Sequence, residues 1–196
     1  MKKKIIPIVI AIVLIIIIGG VTFGSRILEK YSYSKERADL NAYYGITGSQ
    51  EAAIVLQDEI VEEKGRISDG ICYLDMATIH KYLNDRFYVD GGEGLLLYTL
   101  PEDIVRNSIG SSVKETAQGS EELGYTAAIW EGDTLYVALD YIKQYTNFSY
   151  QLFTDPYRIQ LTTEWPSYEV ASISKNTQVR VKGGVKSEIL TDVQKG

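Results

Sequence analysis

Apolar and polar positions change period several times between Asp133 and Thr162, and each change marks an element. Leu135, Tyr136 and Val137 form an apolar run of strand length. Leu139, Ile142, Tyr145 and Thr146 then recur at helical spacing, which predicts a short amphipathic helix over 139–146. Phe148, Tyr150 and Leu152 alternate with Ser149 and Gln151, the period of a strand. Asp155-Pro156 supplies a turn, and Ile159 and Leu161 face one way in a further strand over 158–162.

A related pattern lies upstream. Residues 73–84 align without a gap on residues 136–147: Tyr73 on Tyr136, Ile79 on Ile142, Tyr82 on Tyr145 and Asn84 on Asn147. Met76 meets Leu139 at another apolar position. Aromatic-rich strands follow, Phe87 to Val89 and Phe148 to Tyr150, and after a turn come second strands over 95–99 and 158–162. Four identities at one offset, with matching sequels, predict an internal duplication whose halves are each too small to bury a core alone.

Around these units, 52–57 and 60–67 read as strands, and Ser68-Asp69-Gly70 as the turn into the first copy. Asp75 is placed to cap a helix over 76–83. Asp90-Gly91-Gly92 and Glu131-Gly132-Asp133 are hairpin signals, and a strand over 125–130 leads into the second. Residues 101–124 are polar, without a sustained period, and are expected as a loop or loose helix. The fold class predicted is α+β, mostly β: tandem duplicated units of β-hairpin, short helix and β-hairpin forming one domain, preceded by one transmembrane helix.

From Ile5 to Phe23 the chain has 19 residues without a charge. As a helix this run spans roughly 28 Å, close to a hydrocarbon core. A cleavable signal peptide would have a shorter apolar region with small residues before the cut, whereas Thr22-Phe23-Gly24 is a poor cleavage context. An uncleaved signal-anchor is expected, single-pass, with Lys2, Lys3 and Lys4 cytoplasmic and the rest extracytoplasmic at the cell membrane. The expected division is 1–24 leader and anchor, 25–51 juxtamembrane linker, 52–165 tandem domain and 166–196 the start of a further domain.

The net charge is -6, but after the apolar run 17 basic residues face 26 acidic ones. A chain this acidic is expected to carry no footprint for nucleic acid or anionic lipid. Cys72 is the only cysteine and sits in an apolar strand pattern, so it reads as a core residue. His80 is the only histidine, too little for an imidazole metal site, and no cofactor or metal is expected. Glu131, Asp133, Asp155 and Glu164 fall at turns rather than in a paired-carboxylate motif, and no nucleophile elbow or phosphate loop is present. No catalytic residue is assigned. Among the 15 tyrosines, Tyr141 and Tyr157 are the candidate ligand contacts. Tyr141 falls off the stripe of Leu139 and Ile142, and Tyr157 sits at a hairpin tip, so both rings are expected at the surface, free to stack on a sugar or anchor a protein.

Tyr136-Val137-Ala138-Leu139 with Ile142, and the hairpin through Tyr150, Arg158 and Ile159, carry a likeness to a known family. So do Cys72-Tyr73-Leu74, Tyr82-Leu83-Asn84 and Leu95-Leu96-Leu97-Tyr98 in the first copy. From Ala52 to Trp165 the chain resembles the domain named after the N-terminal region of copper amine oxidases, a tandem module common in surface proteins of Gram-positive bacteria. The 166–196 segment is similar to the opening of bacterial Src-homology-3-like wall-associated domains. Anchor, tandem and tail in this order look like the front of membrane-anchored proteins carrying a glycoside hydrolase family 18 domain. The resemblance implies a non-catalytic, membrane-anchored module of the cell envelope that positions or docks a larger surface protein. It leaves two alternatives: an accessory region of a glycosidase acting on N-acetylglucosamine-containing polymers, or a receptor for wall glycan or another surface protein.

Overall fold

The chain divides into two units in the computed structural model, which describes residues 2–165 and 171–196, with side chains from residue 12 onward. One unit comprises Met1–Ala38 and Val170–Gly196, the other Asp39–Glu169. The fold is mostly β with one N-terminal apolar helix.

In the first unit, helix α1 (Lys2–Tyr31) takes in both the apolar run and the charged residues after it. The first residues of the juxtamembrane linker expected over 25–51 continue this helix unbroken through Tyr31. Within its stretch Ile12–Tyr31 an 18-residue window has a mean hydropathy of 2.0 and none of that window is buried. After the helix, Ser34 N donates to Val185 O at 2.7 Å, Ile189 N to Glu36 O at 2.8 Å and Ala38 N to Ile189 O at 2.9 Å. These bonds lay residues 34–38 along a hairpin of β13 (Thr177–Arg180) and β14 (Ile189–Val193). Arg37 pairs with Asp192, and the Lys186 ammonium donates to the Glu29 carbonyl in the last turn of α1. A cation there satisfies a helix-end carbonyl that has no partner within the helix. Of the expected 166–196 segment, residues 166–170 lie outside the described residues.

In the second unit a short helix α2 (Leu40–Tyr44) is capped by Asp39, whose carboxylate accepts from Asn41 N at 2.9 Å. It ends at Gly45, whose φ of 63° suits a residue without Cβ. Strands β1 (Glu51–Leu56), β2 (Glu59–Ser68) and β3 (Ile71–Asp75) lead to α3 (Met76–Tyr82). Then come β4 (Phe87–Asp90), β5 (Leu95–Thr99), β6 (Ile104–Ser108), β7 (Val113–Thr116) and β8 (Gly119–Glu122). Strands β9 (Ala128–Glu131) and β10 (Thr134–Ala138), helix α4 (Leu139–Ile142), and strands β11 (Ser149–Phe153) and β12 (Arg158–Thr162) complete it. A seven-stranded sheet has the order β11-β12-β1-β2-β3-β10-β9, and a five-stranded meander the order β4 to β8.

The pairing registers recur at one offset. In β2–β3, Ser68 pairs with Ile71, Ile67 with Cys72 and Arg66 with Tyr73. In β9–β10 the residues 63 positions later pair likewise, Glu131 with Thr134, Trp130 with Leu135 and Ile129 with Tyr136. In β4–β5, Phe87 pairs with Tyr98 and Val89 with Leu96; in β11–β12, Tyr150 pairs with Leu161 and Leu152 with Ile159, at the same offset. Register therefore matches Phe87 with Tyr150, not with Phe148 as the aromatic pattern suggested. The hairpins continue differently: β5 runs into the meander, whereas β12 pairs in parallel with β1.

Two expectations are corrected. Residues 101–124 are three strands of the five-stranded sheet, not a loop or loose helix. Val105 and Asn107 are their fully buried side chains, and β8 is exposed throughout, so no apolar alternation marks them. The helix expected over 139–146 is only one turn. Ala138 at its cap offers no side-chain oxygen, and beyond Ile142 the chain tightens: Gln144 N donates to Tyr141 O and Tyr145 N to Ile142 O, three residues back. The longer α3 has Asp75 accepting from Thr78 N at 3.0 Å.

One core joins the two sheets. Ile79 of α3 and Ile142 of α4 are both fully buried, as are Leu74, Val137, Leu139, Ile159 and Leu161. Phe87 and Tyr98 of the meander enter it, with Tyr98 stacked on Tyr145 at 4.3 Å. Gly65 of β2 admits close approach: a Cβ there would lie 2.6 Å from Ile159 Cδ1.

Folding also separates charge. Residues 25–38 and 170–196 carry nine Lys or Arg against four Asp or Glu, a balance of +5. Residues 39–169 carry eight against 22, a balance of -14. The acidity that follows the apolar run therefore belongs to one unit.

Candidate functional site

The two tyrosines singled out by sequence end in opposite environments. Tyr141 is fully buried, its ring 6.3 Å from Phe87 and 5.5 Å from Tyr145. It cannot present a face to a ligand, and the expectation of a surface ring is wrong there. The reason is the one-turn helix. A stripe argument assumes one solvated side, but α4 packs on β3 and β10 while Phe87 of β4 covers its other side. Burial raises the Tyr141 phenol far above its usual value, and its hydroxyl has only the equally buried Tyr145 hydroxyl beside it.

Tyr157 is half-buried and lines a groove of about 460 Å³. One wall is the β11–β12 turn, Thr154, Asp155, Pro156 and Tyr157. Asp155 adopts φ 55° and the Asp155-Pro156 bond is cis. The facing wall comes from residues 40–51: Leu40, Asn41 and Ile46, then Gly48, Ser49 and Glu51. Arg158 ties the walls together, its guanidinium 5.2 Å from the Tyr44 ring and 5.3 Å from Phe153.

Glu51 shapes the second wall. Its Oε2 accepts from Thr47 N and Gly48 N, each at 2.8 Å, and from Thr47 Oγ1 at 3.0 Å. The backbone donors at Thr47 and Gly48 hold the carboxyl below its ordinary value, with Lys64 adding a smaller effect. A carboxylate held this way stays ionised at neutral pH and has no proton to give, so its work in the groove is to fix the turn. The ligand-facing chemistry is left to the Asn41 amide, the Ser49 hydroxyl, the Asp155 carboxylate and the Tyr157 ring. Hydrogen-bonding groups around a partly apolar floor suit a small polyhydroxylated or amide-bearing ligand.

Sequence reasoning assigned residues 25–51 to a linker and so missed half of this groove. The signal present was Thr47 followed four positions later by a glutamate, a spacing that lets a carboxylate fold back on a turn. Tyr88, Trp130 and Trp165 are also about half exposed, outside the groove lining. His80 is exposed, with Nε2 2.8 Å from Phe87 O, and Cys72 is buried, its thiol pushed by burial up to about 11. No group of three or more His, Cys, Asp or Glu is placed to hold a metal among the described residues. Glu131 pairs with Arg66. Compared with family models, curated proteins and solved structures, the chain matches none of them.

Proposed function

We propose that the chain is a non-catalytic, membrane-anchored extracytoplasmic module that positions or docks a larger cell-surface protein. The observation that carries this is the exposed apolar surface of α1, where Ile15, Ile16 and Phe23 are 66–69% exposed. Lipid removes such surface from water at a gain of about 0.8 kcal/mol per CH₂. The span runs from Ile5 to Phe23, with Lys2, Lys3 and Lys4 cytoplasmic and residues from Arg26 onward outside. An internal duplication of the kind found in tandem copper amine oxidase N-terminal-like domains belongs to this proposal, and the common offset of 63 residues in four hairpin strand pairs supports it. Protease added to wall-stripped cells should digest the chain from Arg26 onward and leave the lysine leader protected. Recovery of a soluble domain with a new amino terminus near Ser25 would replace the anchor with a signal peptide.

The groove favours a second reading, in which the acidic unit binds an envelope glycan or a peptide of a surface protein. Tyr157 offers a ring edge beside Asn41, Ser49 and Asp155 in one concavity. Retention on purified cell-wall polymer should be lost in Tyr157→Ala and kept in Trp130→Ala, whose ring lies outside the groove. Equal retention by both would remove the groove from consideration.

A further inference from the structure

The membrane-proximal unit concentrates positive charge where the chain would leave a bilayer. The tip of the β13–β14 hairpin carries Lys182 and Lys186, both exposed, and two contacts fold it back on the helix end. Lys186 donates to the Glu29 carbonyl, and Ser34 N donates to Val185 O at 2.7 Å. Glu29 is six residues past Phe23, so the tip stands roughly 9 Å along the helix axis from the last residue of the charge-free run. The interfacial layer of a bilayer extends about 5–8 Å beyond its hydrocarbon, within reach of a lysine side chain from that level.

The neighbouring residues suit the same depth. Tyr31 and Tyr33 are 67% and 68% exposed, and tyrosine is enriched at membrane–water boundaries. Lys30 and Lys35 flank them, both exposed. Of the four acidic residues in this part of the chain, Asp192 is neutralised by Arg37; Glu29, Glu36 and Glu188 remain against the cationic excess.

We infer that the hairpin tip and the end of α1 form a docking surface for anionic phospholipid headgroups, with Lys30, Lys35, Lys182 and Lys186 as the phosphate contacts. The inference rests on the anchor reading and adds a preference for lipid charge. It also gives the hairpin a role: threading lysines from a segment some 150 residues downstream onto the same interfacial ring as the helix end. Each lysine at an anionic surface strengthens association by about fivefold, so four make a composition-dependent clamp that a bare helix lacks.

The test uses the full chain in two lipid compositions. Flotation with pure phosphatidylcholine vesicles reads the anchor alone; failure to float would end the anchor reading and this one with it. In lipid discs, acylation of Lys182 and Lys35 by a water-soluble amine reagent should be at least about fivefold slower with phosphatidylglycerol present than with phosphatidylcholine alone. High salt should abolish the difference. In a Lys182→Gln/Lys186→Gln variant, exchange of the hairpin-tip amides should become the same in both compositions. Normal flotation with equal acylation rates would overturn the headgroup surface while leaving the anchor intact. Equal protection by inorganic phosphate in neutral discs would overturn it in favour of a soluble-anion site.

Discussion

Leu74 and Val137 stand directly opposite each other where β3 and β10 run antiparallel inside the seven-stranded sheet. Their neighbours exchange partners about that point, Tyr73 facing Ala138 and Asp75 facing Tyr136. Leu74 and Val137 are 63 positions apart, as are Tyr73 and Tyr136 and as are Asp75 and Ala138, so the pairing has a local two-fold character. A helix leaves each strand in the same way, α3 after Asp75 and α4 after Ala138, and each inserts one isoleucine into the shared core.

Ile79→Ala and Ile142→Ala should accordingly cost similar amounts, about 2–5 kcal/mol each in urea unfolding, the range for truncating a buried aliphatic residue. Surface-like costs below about 0.5 kcal/mol at either position would contradict the packing described.

What was legible in the sequence follows from period and turn chemistry. Ile159 and Leu161 alternate cleanly because one face of β12 is buried, and Asp75 announces α3 because a capping carboxylate has a fixed address. Residues 101–124 were illegible for the opposite reason. Their one fully buried apolar side chain is Val105, and the other inward position is Asn107, whose amide donates to Val113 O at 2.6 Å. Tyr141 was misplaced because a single turn enclosed on both sides has no polar face to read. Half of the groove was hidden in what reads locally as a linker, since only the tertiary contact of Tyr44 with Arg158 brings it to Tyr157.

The buried hydroxyl of Tyr141 gives the next expectation. With only the Tyr145 hydroxyl beside it and no hydrogen bond of ordinary geometry, the Tyr141 O–H is a desolvated polar group that Tyr141→Phe removes while keeping the ring contacts with Phe87 and Tyr145. Thermal unfolding should show unchanged or higher stability, by up to about 1–2 kcal/mol, whereas Tyr141→Ala should lose about 3–5 kcal/mol. A loss above about 1 kcal/mol in the phenylalanine variant would reveal a hydrogen bond that the hydroxyl makes in solution.

Cys72 should be inert in the folded chain. It is 3% exposed, and burial together with the nearby Asp140 charge moves its thiol up to about 11. At pH 8 only about one molecule in a thousand would carry the thiolate, even before access is considered. Alkylation followed by mass spectrometry should therefore proceed only after urea is added. Rapid labelling of the native chain would mean that β3 opens, contrary to its pairing with β2 on one side and β10 on the other.

Glu51 connects pH to the shape of the groove. Its carboxyl lies below its ordinary 4.5 because Thr47 N and Gly48 N donate to the ionised form. A group depressed in the folded state contributes stability that is complete above its unfolded value and is lost as pH falls through the folded one. The turn over 47–48 should therefore be intact at neutral pH and loosen only below 4.5. Charge-assisted bonds to a carboxylate are worth about 1.5–3 kcal/mol when shielded, and solvent exposure reduces this to about 1 kcal/mol here. In NMR titrations the Thr47 and Gly48 amide shifts should move together with a midpoint under 4.5, and Tyr157 signals across the groove should follow the same midpoint. Glu51→Gln, which keeps an acceptor oxygen but has no charge to lose, should flatten the titration while leaving the β1–β2 register in place. A midpoint at or above 4.5 would mean that the backbone donors do not hold the carboxylate, and the second wall of the groove would then lack the tie assigned to it.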